Sequence, residues 1–125
     1  MISIYVKDTQ KYGRGMYASR DIKKGELIEV SPVIISPKNE WKHLEKTVMS
    51  DYCFHWGEKG DDTAIVLGYG SLFNHSYSPN CIYYSNEKNS TMEFYSIVDI
   101  KKDEEITVNY NGEPEDQSPL WFNVI

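Results

Sequence analysis

Alternation of hydrophobic and polar residues predicts a chain built mainly of short β-strands. The clearest case is residues 2–7, which read Ile-Ser-Ile-Tyr-Val-Lys, the pattern of a half-buried strand. Residues 26–35 form a second β-rich run, which Pro32 is expected to bend or break. Further strands are predicted at residues 52–56, 64–67, 82–85, 93–98 and 105–110. Between the third and fourth of these runs, residues 86–89 (Asn-Glu-Lys-Asn) predict a hairpin turn.

One segment has the periodicity of a helix instead. Ser36 is suited to the N-cap and Pro37 to the first turn. Apolar residues then recur at spacings of three, four and one, which places them on one helical face. These residues are Trp41, Leu44, Val48 and Met49. The pattern predicts a helix of about three turns that ends near residue 50.

A short internal repeat precedes two of the predicted strands. Residues 21–26 (Asp-Ile-Lys-Lys-Gly-Glu) recur as residues 99–104 (Asp-Ile-Lys-Lys-Asp-Glu). Two separated copies do not build a solenoid, which requires adjacent stacked repeats. We interpret both copies as charged turns that lead into strands.

Length and charge narrow the class of protein. The chain has 125 residues and a net charge of −6, which predicts a single domain that favours cationic partners over nucleic acid. No apolar run reaches the roughly 18 residues of a membrane span. The first residues do not resemble a secretory signal, and two cysteines are too few for a disulfide scaffold. We therefore expect a cytoplasmic protein, or a nuclear one in a eukaryotic or viral setting.

Two segments carry candidate binding groups: one contains an Asn-His pair, and the other contains two glycines. The pair Asn74-His75 lies within residues 68–81 and offers both donors and acceptors. A buried polar turn that satisfies its own backbone is the alternative interpretation. Residues 13–16 (Gly-Arg-Gly-Met) would let the backbone approach a ligand closely. For this segment an ordinary tight turn is the alternative.

The last predicted strand carries a candidate catalytic group. Within residues 104–110, the apolar positions Ile106, Val108 and Tyr110 share one face. The tyrosine at the end of this face belongs either to the core or to a pocket into which its hydroxyl points.

Together, these segments resemble the SET domain of protein-lysine methyltransferases. Residues 13–26 (GRGMYASRDIKKGE) are similar to the family's first motif, G-x-G followed by A-x-x-D-I-x-x-G-E. Residues 72–81 (LFNHSYSPNC) resemble the signature R-F-I-N-H-S-C-x-P-N, and residues 104–110 (EEITVNY) resemble the closing motif G-E-E-L-T-x-D-Y. The resemblance covers about residues 13–112. It implies one mainly β domain over residues 1–125: a β-clip fold of short strands in small sheets, with a C-terminal pseudoknot and one short inserted helix.

The resemblance also implies an activity and a cofactor. SET domains transfer a methyl group from S-adenosylmethionine to the side-chain amine of a lysine in a protein. By motif match, Asn74 would contact the methionine amino group and His75 the adenine. The backbone of Arg14, Gly15 and Met16 would contact the methionine end.

Two tyrosines are implied in the lysine channel. Tyr110 matches the catalytic tyrosine, and Tyr83 matches a tyrosine that walls the channel in relatives that share the string Asn-Cys-Ile-Tyr. Tyr52 is a weaker candidate, since core packing explains it equally well. Asn74-His75 and Tyr110 are expected to meet at the pseudoknot.

The sequence departs from the family pattern at several positions. Tyr77 stands where the signature has cysteine, and Asn109 where the closing motif has aspartate. Relatives often close the cofactor pocket with a zinc-binding cysteine cluster, for which this chain has no matching cysteines. We expect Trp121 and Phe122 to cover the cofactor or the lysine channel instead, or to anchor the C-terminus to the core or to a second subunit.

The expected partner is a lysine-containing protein, such as a histone-like or ribosomal protein, and a homodimer is expected. Nucleic acid and membrane are not. A SET fold that only binds a lysine-bearing partner, without turnover, is the alternative function. A zinc site is a second alternative, although the ligand spacing is poor for common zinc motifs and we expect no metal. Its ligands would be Cys53, His55, His75 and Cys81.

Overall fold

The computed structural model describes residues 2–122 and 124 and places their strands in two small sheets. The strands are β1 (Ile4–Asp8), β2 (Arg14–Ala18), β3 (Leu27–Ser36), β4 (Phe54–Trp56), β5 (Asp62–Val66), β6 (Asn74–His75), β7 (Cys81–Asn86), β8 (Thr91–Ser96) and β9 (Glu105–Val108). The four-stranded sheet has the order β1-β2-β9-β6, and the five-stranded sheet has the order β4-β5-β3-β8-β7. The prediction of a mainly β chain with small sheets is confirmed.

In the five-stranded sheet, strand β3 changes its pairing partner at Pro32. Strand β3 pairs with β8 as far as Pro32 and with β5 from Val33 onward, always antiparallel. Proline supplies no N–H to a ladder, so the residue suits a place where one pairing ends. Strand β3 is therefore continuous where a bend or break was predicted. What changes at Pro32 is the neighbouring strand with which it pairs.

One hydrophobic core receives side chains from both sheets. Side chains of strand β8 alternate between the core and the surface, with Met92 and Phe94 fully buried. Met16 and Ile106 enter the same core from the four-stranded sheet. Phe73, just before β6, stacks on Phe94 with ring centroids 4.6 Å apart. The residue before the Asn-His pair is thus fixed by the core.

The two copies of the internal repeat bind each other. Ile22 and Ile100 form an antiparallel bridge through two backbone hydrogen bonds of 2.7 and 2.8 Å. The Asp99 carboxylate accepts from the backbone N–H of Lys24, and the Asp21 carboxylate accepts from that of Lys102. The repeat therefore forms a symmetric joint in which each charged turn caps the other.

The predicted three-turn helix is wrong in length. Helix α1 covers only Trp41–Leu44, between the 3₁₀ turns Lys38–Glu40 and Val48–Asp51. Its supposed apolar face is not packed on the core, since Val48 is 67% exposed. Helix stability comes mainly from packing an amphipathic face, so the unpacked segment breaks into single turns. Among the described residues, no helix is long and apolar enough to cross a membrane.

Strand β2 occupies residues for which the sequence pattern suggests a turn. It pairs with β1 along its whole length, from Arg14 opposite Asp8 to Ala18 opposite Ile4. Strand β9 pairs with β2 only at Met16 and Tyr17. Tertiary pairing on both sides overrides the low strand propensity of a Gly-Arg-Gly sequence.

Strands β6 and β9 form the joint at which the candidate site lies. They run parallel, with Asn74 opposite Thr107 and His75 opposite Val108. The side chain of Asn80 locks β9 in place: its Nδ2 donates to the carbonyl of Glu105 at 2.8 Å, and its Oδ1 accepts from the N–H of Thr107 at 2.9 Å.

Replacing Asn80 should therefore destabilise the fold. We expect Asn80→Ala to lower the free energy of unfolding by about 2 kcal/mol, because two half-buried backbone groups of β9 lose their partners. Urea unfolding followed by circular dichroism measures this effect. Asn89→Ala, at the exposed hairpin turn, is the matched control and should change stability little. Equal stability of the two variants would contradict the role assigned to Asn80.

Candidate active site

The parallel pairing of β6 with β9 brings together residues that lie far apart in the sequence. The N–H of Tyr110 donates to Nδ1 of His75 at 2.9 Å. The rings of these two residues have centroids 5.2 Å apart. The expected meeting of Asn74-His75 with Tyr110 is therefore present in the structure.

Hydrogen bonds fix both the side chain and the backbone of Tyr110. Its hydroxyl donates to the carbonyl of Phe73 at 2.7 Å, while its N–H is bound to His75. Burial raises the pKa of Tyr110, and the neighbouring Tyr52 and Tyr83 hydroxyls raise it further. The group therefore stays protonated and neutral, with its oxygen still able to accept a hydrogen bond.

His75 is a buried, neutral acceptor. Nδ1 accepts from Tyr110, which assigns the ring proton to Nε2. Nε2 is buried and makes no hydrogen bond in the structure. The ring packs against the edge of Tyr77, with centroids 4.5 Å apart. Burial lowers the pKa of His75, which favours the neutral form that this hydrogen bond requires.

The buried histidine should make stability depend on pH. The pKa of His75 lies below its ordinary value of 6.5, so the unfolded chain binds this proton more readily than the folded protein. Its contribution to stability should be complete above about pH 6.5 and decline as the pH falls through the lower folded value. His75→Asn keeps an acceptor and removes the titrating group. Below about pH 6.5, the slope of its free energy of unfolding against pH should therefore be smaller than that of the wild type, by the equivalent of up to one bound proton.

Urea unfolding at a series of pH values tests this expectation. His43→Asn is the matched control, because His43 is exposed on α1. It should reproduce the pH dependence of the wild type. Identical slopes for His75→Asn and wild type would contradict the inference that His75 is neutral and an acceptor.

A gap in the strand pairing, here called the crevice, lies between the first half of β2 and β6. Strand β9 pairs with β2 no further than Met16, and the side chain of Asn74 spans the gap beyond it. Asn74 Nδ2 donates to the carbonyl of Arg14 and to Oε2 of Glu105, both at 2.9 Å. A Cβ added at Gly15 would lie 2.6 Å from Oε2 of Glu105 and 2.7 Å from Nδ2 of Asn74. Gly15 is therefore required for this close approach.

Met16, the third predicted residue of this segment, sits differently. Its side chain is fully buried in the core, and its backbone is paired with Ile106. A backbone contact of Met16 with a cofactor stays a prediction. The backbone of Arg14 and Gly15, beyond the end of the pairing with β9, is better placed for a ligand.

A cavity of about 250 Å³ lies beside Tyr110. Tyr83 and Tyr110 both line it, as the implied lysine channel requires, and Tyr52 lines it as well. Burial raises the pKa of Tyr83 to about 12. Phe54 completes an aromatic corner, since its ring lies nearly perpendicular to that of Tyr83 with the ring centroids 5.1 Å apart. The remaining lining residues are Asp51, Cys53, His55, Ser71, Phe73, Asn111, Gly112 and Trp121.

A wider groove of about 1280 Å³ adjoins the cavity. Its lining includes Trp41 of helix α1 and the acidic residues Asp61 and Asp62 at the start of β5. Five residues line both the groove and the cavity: Asp51, Cys53, Phe54, His55 and Trp121. The cavity and the surface groove are therefore continuous with each other.

Trp121 lies at the junction of the cavity and the groove. Its ring stacks on Tyr110 with centroids 6.0 Å apart and an interplanar angle of 10°. Phe122 turns its edge toward His75, with centroids 6.3 Å apart. The structure thus places Trp121 in the wall of the predicted lysine channel. Its predicted contact with the cofactor stays a prediction.

The alternative metal site is not assembled. Among residues 2–122 and 124, no three histidine, cysteine, aspartate or glutamate side chains are grouped so as to hold a metal ion. His75 is bound to Tyr110, and Cys81 is fully buried, which raises the pKa of its thiol to about 12. Cys53 and His55 lie instead at the cavity.

The sequence-based prediction assigns no role to Phe54 or Asn80, although both contribute to the site. Phe54 belongs to a strand pattern in which an aromatic residue is typical of the core, so nothing distinguishes it. Asn80 stands within the Pro-Asn string of the signature, which is the signal by which it could be found. Its function is structural, through β9, and only the fold reveals it.

Comparison with known proteins identifies related domains. The SET domain model matches residues 13–111. A Schizosaccharomyces pombe protein named histone-lysine N-methyltransferase, H3 lysine-37 specific, is 33% identical over 118 residues, which is 94% of this chain and 75% of that protein.

Solved structures show the same fold. The crystal structure of a candidate histone methyltransferase from Plasmodium falciparum has a TM-score of 0.70 at 30% identity, over 88% of this chain and 94% of that chain. Polycomb Repressive Complex 2 of Chaetomium thermophilum, in an autoinhibited conformation bound to S-adenosylmethionine, has a TM-score of 0.72 at 21% identity. That match covers 86% of this chain and 15% of that chain and concerns the fold alone.

Proposed function

Because this chain belongs to the SET domain family, we propose that it transfers a methyl group from S-adenosylmethionine to the side-chain amine of a lysine in a protein. The observation that carries the proposal is the cavity between Tyr83 and Tyr110, which opens into a groove. Its walls offer aromatic surface along the depth of the cavity and a fixed hydroxyl at Tyr110.

The cavity suits a lysine side chain. Lysine has an apolar stem of four carbons and a polar end, which match the aromatic walls and the tyrosine hydroxyls respectively. Since the hydroxyl of Tyr110 donates to Phe73, its oxygen is left to accept from an amine N–H. This holds the amine in one orientation without adding a charge beside it.

The walls also favour the reactive form of lysine. Only the neutral amine has a lone pair for attack, whereas the pKa of a free lysine side chain is about 10.4. Desolvation between aromatic rings lowers the pKa of an amine. The neutral, protonated state of Tyr83 and Tyr110 avoids a negative charge that would raise it again. Positioning and desolvation are therefore the contributions of this chain to the reaction.

The residues around the crevice fit S-adenosylmethionine. The carboxamide of Asn74 and the backbone of Arg14 and Gly15 provide polar groups for its methionine end. The buried Nε2 of His75 lacks a partner, and aromatic rings lie beside it. When bound, S-adenosylmethionine supplies a methyl group on a positively charged sulfur.

The net charge of −6 supports a lysine-rich substrate, such as a histone-like or ribosomal protein. The groove contributes to this preference, because its carboxylates Asp51, Asp61, Asp62 and Glu45 outnumber its basic residues Lys38 and Lys42. Complementary charge raises the rate of encounter and suppresses acidic partners.

Incubation with S-adenosylmethionine labelled in its methyl group, followed by mass spectrometry, tests the proposal. Histones, ribosomal proteins and a cell lysate are the substrates, and Lys→Arg replacement at each mapped position is the control. Label on a lysine side chain is the expected result. A parallel titration with S-adenosylmethionine measures cofactor binding. Cofactor binding without transfer to any protein would instead support the binding module, and absence of cofactor binding would overturn methyl transfer.

A homodimer and a cytoplasmic or nuclear location remain part of the proposal. Apolar residues on strands β3 and β7 support self-association, because Ile34, Tyr84 and Val30 are 57%, 55% and 47% exposed. Sedimentation equilibrium measures the mass in solution. A monomer at all accessible concentrations would remove the dimer from the proposal.

A further inference from the structure

Three polar side chains hold the segment that follows Tyr110. Asn109 is buried, at 2% exposure, and its Nδ2 donates to the carbonyls of Asp116 at 2.7 Å and Pro114 at 3.3 Å. Asn111 Nδ2 and the Tyr77 hydroxyl both donate to the carbonyl of Ser118, at 2.9 and 3.1 Å. We call Tyr77, Asn109 and Asn111 the clamp, and residues 113–122 the C-terminal segment.

The clamp determines where the C-terminal segment ends. Immediately beyond Ser118, Trp121 stacks on Tyr110 and lines the cavity. Phe122 lies beside both His75 and Tyr110. Trp121 is 63% exposed, so its own burial is small. The hydrogen bonds of the clamp are therefore the main restraint that keeps its ring on Tyr110.

Two of the three clamp residues are departures from the motifs that define the family resemblance. Tyr77 replaces a cysteine and Asn109 an aspartate. An aspartate at position 109 has no donor for the carbonyls of Pro114 and Asp116, and a cysteine at position 77 is too short to reach Ser118 as tyrosine does. Both departures serve the same segment, which indicates one shared purpose.

We propose that Asn109, with Tyr77 and Asn111, is a positioning residue that holds Trp121 as the outer wall of the lysine cavity. This inference rests on the proposed function for its kinetic part only. Asn109 touches neither substrate nor cofactor and acts through Trp121. Loosening the clamp should therefore weaken binding of the lysine substrate more than it slows the chemical step.

The test is Asn109→Asp, an isosteric change. The Oδ1 that accepts from the N–H of Asn111 is kept, while both donated bonds are lost and a carboxylate faces two carbonyls. We expect KM for the protein substrate to rise about tenfold, with kcat changed less than about threefold. Asn89→Asp, at the exposed turn, is the matched control and should leave both constants unchanged.

A second readout is independent of activity. In protein labelled with 5-fluorotryptophan, the fluorine resonance of Trp121, assigned with Trp121→Phe, should move toward the solvent-exposed position in Asn109→Asp and stay in place in Asn89→Asp. A chain without methyltransferase activity would overturn the proposed function and leave this measurement intact. An unmoved resonance together with unchanged KM would overturn the clamp.

Two further comparisons keep the inference falsifiable. If Asn109 acts through Trp121, adding Asn109→Asp to Trp121→Ala should raise KM no further, and additive effects would overturn the inference. If Asn109→Asp does not fold, Tyr77→Phe and Asn111→Ala each remove a bond to Ser118. A wild-type Trp121 resonance in both of these variants would equally overturn it.

Discussion

Tyr110→Phe should lower kcat for lysine methylation by about 100- to 1000-fold while the protein remains folded. The hydroxyl lines the cavity, is fixed by the backbone carbonyl of Phe73 and can also accept from an amine. Removing it leaves the Phe73 carbonyl without this donor and leaves the amine without an orienting acceptor. Loss of a single preorganised polar group at a reacting centre has effects of this size.

Methyl transfer to the best substrate found by mass spectrometry, measured under single-turnover conditions, gives the rate. Tyr84→Phe is the matched control, because Tyr84 is 55% exposed on β7 and outside the cavity lining. Its rate should equal that of the wild type. A Tyr110→Phe variant that is folded by circular dichroism and still transfers methyl groups at the wild-type rate would remove Tyr110 from the catalytic role.

Local sequence patterns predict much of the five-stranded sheet. The run at residues 93–98 predicts a strand, and β8 covers most of it, over Thr91–Ser96. The hairpin between β7 and β8 is placed correctly because both strands and their turn are contiguous. Such pairing depends on neighbours in the sequence, so the pattern alone contains the necessary information.

Local sequence patterns give the wrong secondary structure where long-range packing determines it. The periodicity around Trp41 and Val48 predicts a stable helix, but no core surface covers that face, and the segment divides into short turns. Strand β2 is missed for the opposite reason, because its pairing with β1 and β9 gives structure to a glycine-rich sequence. In both cases the tertiary environment outweighs local propensity.

Local sequence patterns do not predict the candidate active site. Asn74, His75 and Tyr110 are separated along the chain, and only the resemblance to a known family predicts that they meet. The clamp could not be predicted, because Asn109 and Tyr77 bind main-chain carbonyls, which no side-chain pattern reports. Departures from a family motif therefore indicate where to look, while the partner of each departure is known only from the fold.

Gly15→Ala should weaken binding of S-adenosylmethionine by about 10- to 100-fold. The added Cβ would lie within 2.7 Å of Nδ2 of Asn74 and closer still to Oε2 of Glu105. Both neighbours are the ends of flexible side chains, so they can move aside at little cost to the fold. The carboxamide of Asn74 would then leave the carbonyl of Arg14 and turn away from the crevice. A misplaced hydrogen bond to a charged ligand costs about 1.5 to 3 kcal/mol.

Isothermal titration with S-adenosylmethionine measures the dissociation constant, and thermal unfolding verifies that the fold is kept. Because the effect is transmitted through Asn74, it should be much smaller in an Asn74→Ala background, where the carboxamide is absent. Additive losses in this cycle would show that Gly15 acts independently of Asn74. An unchanged Kd in Gly15→Ala would place the cofactor outside the crevice between β2 and β6, so the cycle tests the location of the site as well as the role of one glycine.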